Sequence, residues 1–230
     1  MKNFAAILVL AIASLANAKD EPRRSPGYAG SLPPGQISLA GSSIKCADIN
    51  KDPARTRLAV PLSSDCALEI PSPDGRFVAE TTITNRPVLW IHDRRTGERR
   101  RIRSYEQPLT FRWRPSSTEF LLNDGEGSGQ VSRLIYFRHE GRRWHGTRAF
   151  DRAAVALYLK RYDCKGGENS YANVSGWDWT ANGHFRAIVT EGVHSEGCLQ
   201  PYRDRNVMLE VIGDPMTGRI TSSREVEELD

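Results

Sequence analysis

Beyond its first eighteen residues this 230-residue chain has no run of eighteen apolar residues, so nothing after residue 18 is expected to cross a bilayer as a helix. It also lacks any Cys-x-x-C pair, the usual sequence sign of structural zinc or thiol redox chemistry. Gly-x-Ser-x-Gly is missing too. The nearest string, Val193-His194-Ser195-Glu196-Gly197, has no first glycine and no strand-to-helix turn to carry a nucleophile. The five histidines, His92, His139, His145, His184 and His194, never fall at helical i, i+4 spacing with a carboxylate, so they form no recognisable zinc motif. Asp48-Ile49-Asn50-Lys51-Asp52 places oxygen ligands at alternate positions, but Pro53 replaces the turn glycine of a calcium loop and Ala59 its bidentate glutamate. We read that run as an Asx-rich turn. No metal and no cofactor are expected.

What the chain does have begins at its start. Met1-Lys2-Asn3 is a short basic opening, Phe4 to Leu15 is almost unbroken apolar sequence, and Ala16-Asn17-Ala18 is a small-x-small cleavage site. Residues 1–18 are therefore expected to be a signal peptide cut after Ala18, with the mature protein periplasmic or secreted. Residues 19–43, rich in Pro, Gly and Ser, read as a leader, and residues 44–230 as one domain. Export also decides the reading of Cys46, Cys66, Cys164 and Cys198. An even set in an oxidising compartment implies two disulfides, with three connectivities open and the local one, Cys46–Cys66 with Cys164–Cys198, closing the shortest loops.

From residue 66 onward one layout recurs three times. In the first copy Pro73-Asp74-Gly75 turns into the alternating Phe77, Ala79, Thr81 and Ile83, then Val88 to Ile91 forms a strand, and Asp93 to Gly97 turns into a strand ending at Ile102. The second runs from Phe111 to Trp113 through Pro115-Ser116-Ser117 into Glu119 to Leu122. A polar loop is expected from Asn123 to Gly129, followed by alternation from Val131 to Phe137 and a turn at Glu140-Gly141. The third has Trp177-Asp178-Trp179, a turn at Asn182-Gly183, alternation from Phe185 to Val189, Val207, Leu209 and Val211, and a turn at Pro215 to Gly218. Between the second and third copies, Asp151 is placed to cap one short helix near 151–162. The expected class is all-β: antiparallel four-stranded meanders with a single helix.

The string Ser72-Pro73-Asp74-Gly75-Arg76-Phe77-Val78-Ala79, followed by Leu89-Trp90-Ile91-His92-Asp93 and Thr96-Gly97-Glu98, resembles the repeat of TolB-type, WD-repeat-like β-propeller proteins. The likeness spans about residues 66–226 and is best in the first copy. It implies propeller blades, and three of them, with a partial fourth from residues 44–65, make a partial ring that a second chain or another partner would complete.

Charge is uneven along the chain. Residues 86–161 carry seventeen basic and eight acidic groups, whereas residues 162–230 carry six and twelve. The densest basic run includes Arg94, Arg95, Arg99, Arg100 and Arg101 at a hairpin and its outer strand. Charge on an edge strand discourages edge-to-edge pairing, and it also makes a face for anions. With Asp124 and Glu126 in the loop to Gln130, these are the candidate binding residues. The expected role is an exported non-catalytic binding or scaffold module of the bacterial envelope, contacting a protein partner or an anionic polymer. Nucleic acid is not an expected partner, because no aromatic stacking pattern accompanies the arginines. Two other roles compete: a glycan hydrolase using a carboxylate pair, with Asp124, Glu126 and Asp178 available, and a structural subunit that completes a propeller ring as a homodimer.

Overall fold

Period-two alternation cut by Pro, Asp and Gly makes strands joined by tight turns. The computed structural model describes residues 50, 59–62, 66–82, 84, 86–106, 109–126, 131–164, 172–191 and 207–226. The first antiparallel sheet runs β2 (Glu69–Pro71), β3 (Phe77–Thr81), β4 (Val88–Asp93) and β5 (Glu98–Ser104) in chain order. The second runs β1 (Val60–Leu62), β6 (Leu109–Trp113), β7 (Glu119–Glu126), β8 (Val131–Glu140) and β9 (Arg143–Thr147), and the third runs β10 (Ala172–Trp179), β11 (Phe185–Glu191), β12 (Met208–Gly213) and β13 (Ile220–Val226). Helix α1 (Ala149–Arg161) joins the second sheet to the third.

The middle sheet builds two cores because its strands alternate. Phe111, Trp113, Phe120, Leu122 and Ile135 face the first sheet and pack on Ile70, Phe77, Ala79, Leu89 and Ile91. Their neighbours Leu121, Leu134 and Tyr136 face the opposite way, onto Val174, Phe185, Ala187 and Val189 of the third sheet and Phe150, Ala154 and Tyr158 of the helix. A sheet buried on both faces in this way couples the other two.

The threefold layout is visible in the backbone. The first turn of each copy places one residue at positive φ: Gly75 at 71°, Ser117 at 65° and Gly183 at 81°. The second turn does the same at Gly97, Gly141 and Gly218, with φ of 72°, 63° and 75°. Asp93-x-x-Thr96-Gly97 and Asp214-x-x-Thr217-Gly218 even share their hydrogen bonds. Each aspartate Oδ1 accepts from the backbone N–H two residues on, Arg95 at 2.9 Å or Met216 at 2.8 Å. Each aspartate carbonyl accepts from the glycine, at 2.8 and 2.9 Å.

Three expectations change. Residues 123–126, expected to open a polar loop, stay in β7, which pairs Asp124 with Arg133 and Glu126 with Val131, and the rest of that expected loop lies outside the described residues. Residues 60–62, expected in a partial fourth repeat, instead add β1 to the middle sheet beside β6, pairing Val60 with Phe111 and Leu62 with Leu109. The fourth strand that a four-stranded meander requires of the second copy is present as β9, after the Glu140-Gly141 turn. Helix α1 begins two residues before Asp151 and has no side-chain cap. Asp151 is buried instead, accepting from the Leu134 N–H at 2.9 Å and pairing with Arg148 at 2.9 Å, where it satisfies a backbone donor of the sheet on which the helix lies.

Residues 1–49, which hold the expected signal peptide, the whole expected leader and Cys46, lie outside the described residues, as do Cys198 and Ile83. Cys66, in the first core, and Cys164, in the second, are each disulfide-bonded, and no described cysteine is free. Among the described residues no helix is long and apolar enough to cross a membrane.

Candidate functional site

The arginine run occupies the β4–β5 hairpin and the outer strand β5, and the fold divides it in two. On the strand, Arg99 Nε meets Glu80 Oε2 at 2.9 Å and its guanidinium lies 4.7 Å from the centre of the Trp90 ring. Arg100 pairs with Glu98, and Arg101 Nη2 donates to Ser104 Oγ at 2.9 Å. At the hairpin, Arg94 and Arg95 are exposed, and among the described residues neither side chain meets a carboxylate. Asp93 turns inward beneath them. It accepts from Arg76 at 2.8 Å, and this bond, helped by the Arg95 N–H, holds its carboxyl below the ordinary range against the opposing effect of burial.

Asp124 does not join this surface. Its side chain is buried, 6% exposed, and forms an ion pair with Arg103 across the seam between the first two sheets. Glu126 is the last residue of β7, and its side chain lies outside the described set. Asp178, the other carboxylate considered for glycan hydrolysis, accepts from Arg112 Nη2 at 3.0 Å and from the Trp179 N–H at 2.7 Å. Both described carboxylates of that reading therefore tie neighbouring sheets together. Asn50, from the calcium-like run, clamps a strand edge: its side-chain amide donates to the Ala67 carbonyl at 3.0 Å and accepts from the Glu69 N–H at 2.9 Å.

A second polar assembly, which the sequence did not single out, joins the middle sheet to the third. Glu119, 4% exposed, takes hydrogen bonds from Arg138 Nε at 2.8 Å, from Ser116 Oγ at 3.3 Å and from Arg114. Burial pushes its carboxyl up, but hydrogen bonds from Tyr136, Arg138 and Arg114 outweigh that and leave it below the ordinary value. Arg114 reaches further. Its Nη2 donates to the Gly183 carbonyl at 3.1 Å, and its guanidinium lies 4.8 Å from the centre of the Trp179 ring. Below it, Asn123 exchanges two hydrogen bonds with the backbone of Gly176, at 2.9 and 3.3 Å, beside the bulge between Gly176 and Asp178. The sequence signal available was Arg114 standing where the other first turns have Ser72 and Thr180.

The corresponding joint between the first two sheets is Ser117, whose buried Oγ accepts from the Asp74 N–H at 3.0 Å while its backbone sits at positive φ. Alanine there keeps the strained backbone and orphans a donor, whereas glycine relieves the strain as it loses the bond. Ser117→Ala is expected to cost about 1–2 kcal/mol in urea unfolding and Ser117→Gly under about 1 kcal/mol. Equal losses in the two variants would show that the backbone there is unstrained.

No protein-family model matches the chain, and no curated protein matches it. Among solved structures it is similar to the crystal structure of TolB from Acinetobacter baumannii, at 13% identity and a TM-score of 0.20. That likeness covers 73% of this chain and 55% of the other, so the chain spans about half the length of the structure it matches.

Proposed function

We propose that this protein is an exported, non-catalytic binding module of the bacterial envelope that engages a partner, an anionic polymer or an acidic protein, through its basic hairpin. One observation carries the reading: Arg94 and Arg95 project from the β4–β5 turn with no carboxylate partner among the described residues, while the strand arginines beside them are engaged. Unpaired guanidinium groups keep their full charge for a ligand and pay no cost to leave an existing ion pair. Asp124 and Asp178 support the non-catalytic part, because each is held by an arginine.

The test is retention of the mature, oxidised protein on an anionic matrix. Wild type is expected to elute at a salt concentration that falls clearly in Arg94→Ala/Arg95→Ala, because exposed charge pairs are screened by salt. Identical elution of the two proteins would overturn the binding surface. Turnover of an envelope glycan by wild type, lost in Asp178→Asn, would replace this reading with the hydrolase.

A further inference from the structure

In a meander, every second connection lies at the same end of the sheet, so the tight turns of all three copies share one rim. Hydrogen bonds join them in a row: Asp74 to Ser117 between the first and second copies, and Arg114 to Gly183 between the second and third. The outer hairpins are joined as well. Phe77, at the start of β3, packs against His139 and Trp144 of the β8–β9 hairpin, with ring centroids 5.0 and 5.2 Å apart. Arg76, whose guanidinium lies 4.4 Å from the centre of the Phe77 ring, pairs with Asp93 at the foot of the β4–β5 turn at 2.8 Å, so that turn stands beside the β8–β9 hairpin. At the β12–β13 turn, Gly218 packs on the backbone of Ala149, two residues beyond β9, so closely that a Cβ there would lie 2.5 Å from the Ala149 carbonyl oxygen.

Equivalent positions on this rim repeat one chemistry. The second turn of each copy carries exposed arginine: Arg94 and Arg95 in the first, Arg142 and Arg143 in the second, and Arg219 in the third. Among the described residues none of the five has a carboxylate partner. The acidic groups nearby are occupied: Asp93 and Asp214 close their own turns, Glu98 pairs with Arg100, Glu119 lies beneath Arg114 and Arg138, and Glu140 meets Arg138 at 3.8 Å. All five cations are arginine in a chain with six lysines, none of them between residues 52 and 159. Arginine's planar fork suits the oxygens of phosphate, which it can bind bidentately. Hairpin tips form a ridge, which favours an extended chain lying across several turns over a small ligand in a pocket.

We infer that the rim formed by the second turns of the three repeats is a binding surface for a linear phosphate-bearing polymer, held by Arg94, Arg95, Arg142, Arg143 and Arg219. The inference rests on the binding-module reading and extends its surface from one hairpin to three. Two of these hairpins lie outside the run that dominates the sequence, because Arg142-Arg143 and Arg219 are far from it in the chain and share only its end of the sheets.

The probe is long-chain inorganic polyphosphate, with tripolyphosphate and poly-glutamate beside it, in equilibrium binding to the mature protein across a salt series. Polyphosphate is expected to bind far more tightly than tripolyphosphate, because one chain engages several turns. Arg94→Ala/Arg95→Ala and Arg142→Ala/Arg143→Ala should each weaken it about tenfold or more and, with two cations removed, flatten the salt dependence by about 1.5–2 units of slope. Arg152→Ala, on the exposed face of α1, should leave binding unchanged. If Arg99→Ala/Arg100→Ala abolishes binding while Arg142→Ala/Arg143→Ala does not, the rim is wrong and the single hairpin with its strand remains. Tighter binding of poly-glutamate through the same turns would overturn the phosphate assignment. A wild-type protein that binds none of the three would overturn the rim and the binding reading together.

Discussion

Trp113→Ala is expected to lower the melting temperature by about 10 °C or more and to separate the unfolding of the first sheet from that of the rest. Trp113 is among the largest fully buried side chains, and its ring packs on Phe111, Phe120, Phe77 and Trp144 with centroids 5.0 to 6.4 Å away. Emptying such a site costs about 3–5 kcal/mol. Its Nε1 also donates to the Ile70 carbonyl at 2.8 Å, and the substitution removes that hydrogen bond as well. At about 2–4 °C per kcal/mol for a chain of this size, the combined loss gives the expected shift. Because the second core, on the other face of the middle sheet, does not contain Trp113, hydrogen exchange in β11 and β12 should stay protected after β3 and β4 have opened. Trp113→Phe keeps most of the packing and loses the hydrogen bond, so it should cost about 1–3 kcal/mol. A single cooperative transition in Trp113→Ala, shifted by less than about 3 °C, would contradict this account of the first core.

The second large effect is Glu119→Gln. The wild-type carboxylate sits between Arg114 and Arg138 with little solvent, and the amide turns one acceptor into a donor facing two guanidinium groups. Breaking a buried pair costs about 3–5 kcal/mol, but both arginines are partly exposed, so about 2–3 kcal/mol is expected. The pH dependence follows from the lowered carboxyl of Glu119. Above the unfolded-state value of about 4.3 the carboxylate is ionised in both states and its stabilisation is complete. As pH falls through the lower folded-state value, both states become protonated and the stabilisation is lost. The gap between wild type and Glu119→Gln should therefore be widest at neutral pH and shrink below about pH 4. Urea melts of both proteins from neutral to acid pH would measure it, and a gap that stays constant with pH would assign the loss to packing alone.

Turns were the most legible part of this fold, because each needs a residue type that sequence displays. Gly75, Gly97, Gly141, Gly183 and Gly218 mark backbone at positive φ, and Ser117 was found by its offset from them. Strands bounded by those turns followed from alternation. What failed were features decided by partners distant in the chain. Asn123 and Asp124 look like loop residues because they are polar, yet β8 extends β7 past them, with Asp124 held by Arg103 and Asn123 by the Gly176 backbone. The arginine run looked uniform for the same reason. Glu80 and Glu98 neutralise part of it, and only the fold shows which arginines remain exposed and which distant ones stand beside them.

Strand β1 imposes an order on assembly. Leu62, before the first sheet, pairs with Leu109, after it, so the whole first meander hangs from a clasp whose two halves are synthesised far apart. A chain emerging from its amino end can hydrogen-bond β2 to β5 early, because those pairings are between neighbours, but β1 must wait for β6. Once closed, the clasp brings the two ends of the first meander together at its base. A protease acting within that meander would then cut the chain without releasing either fragment.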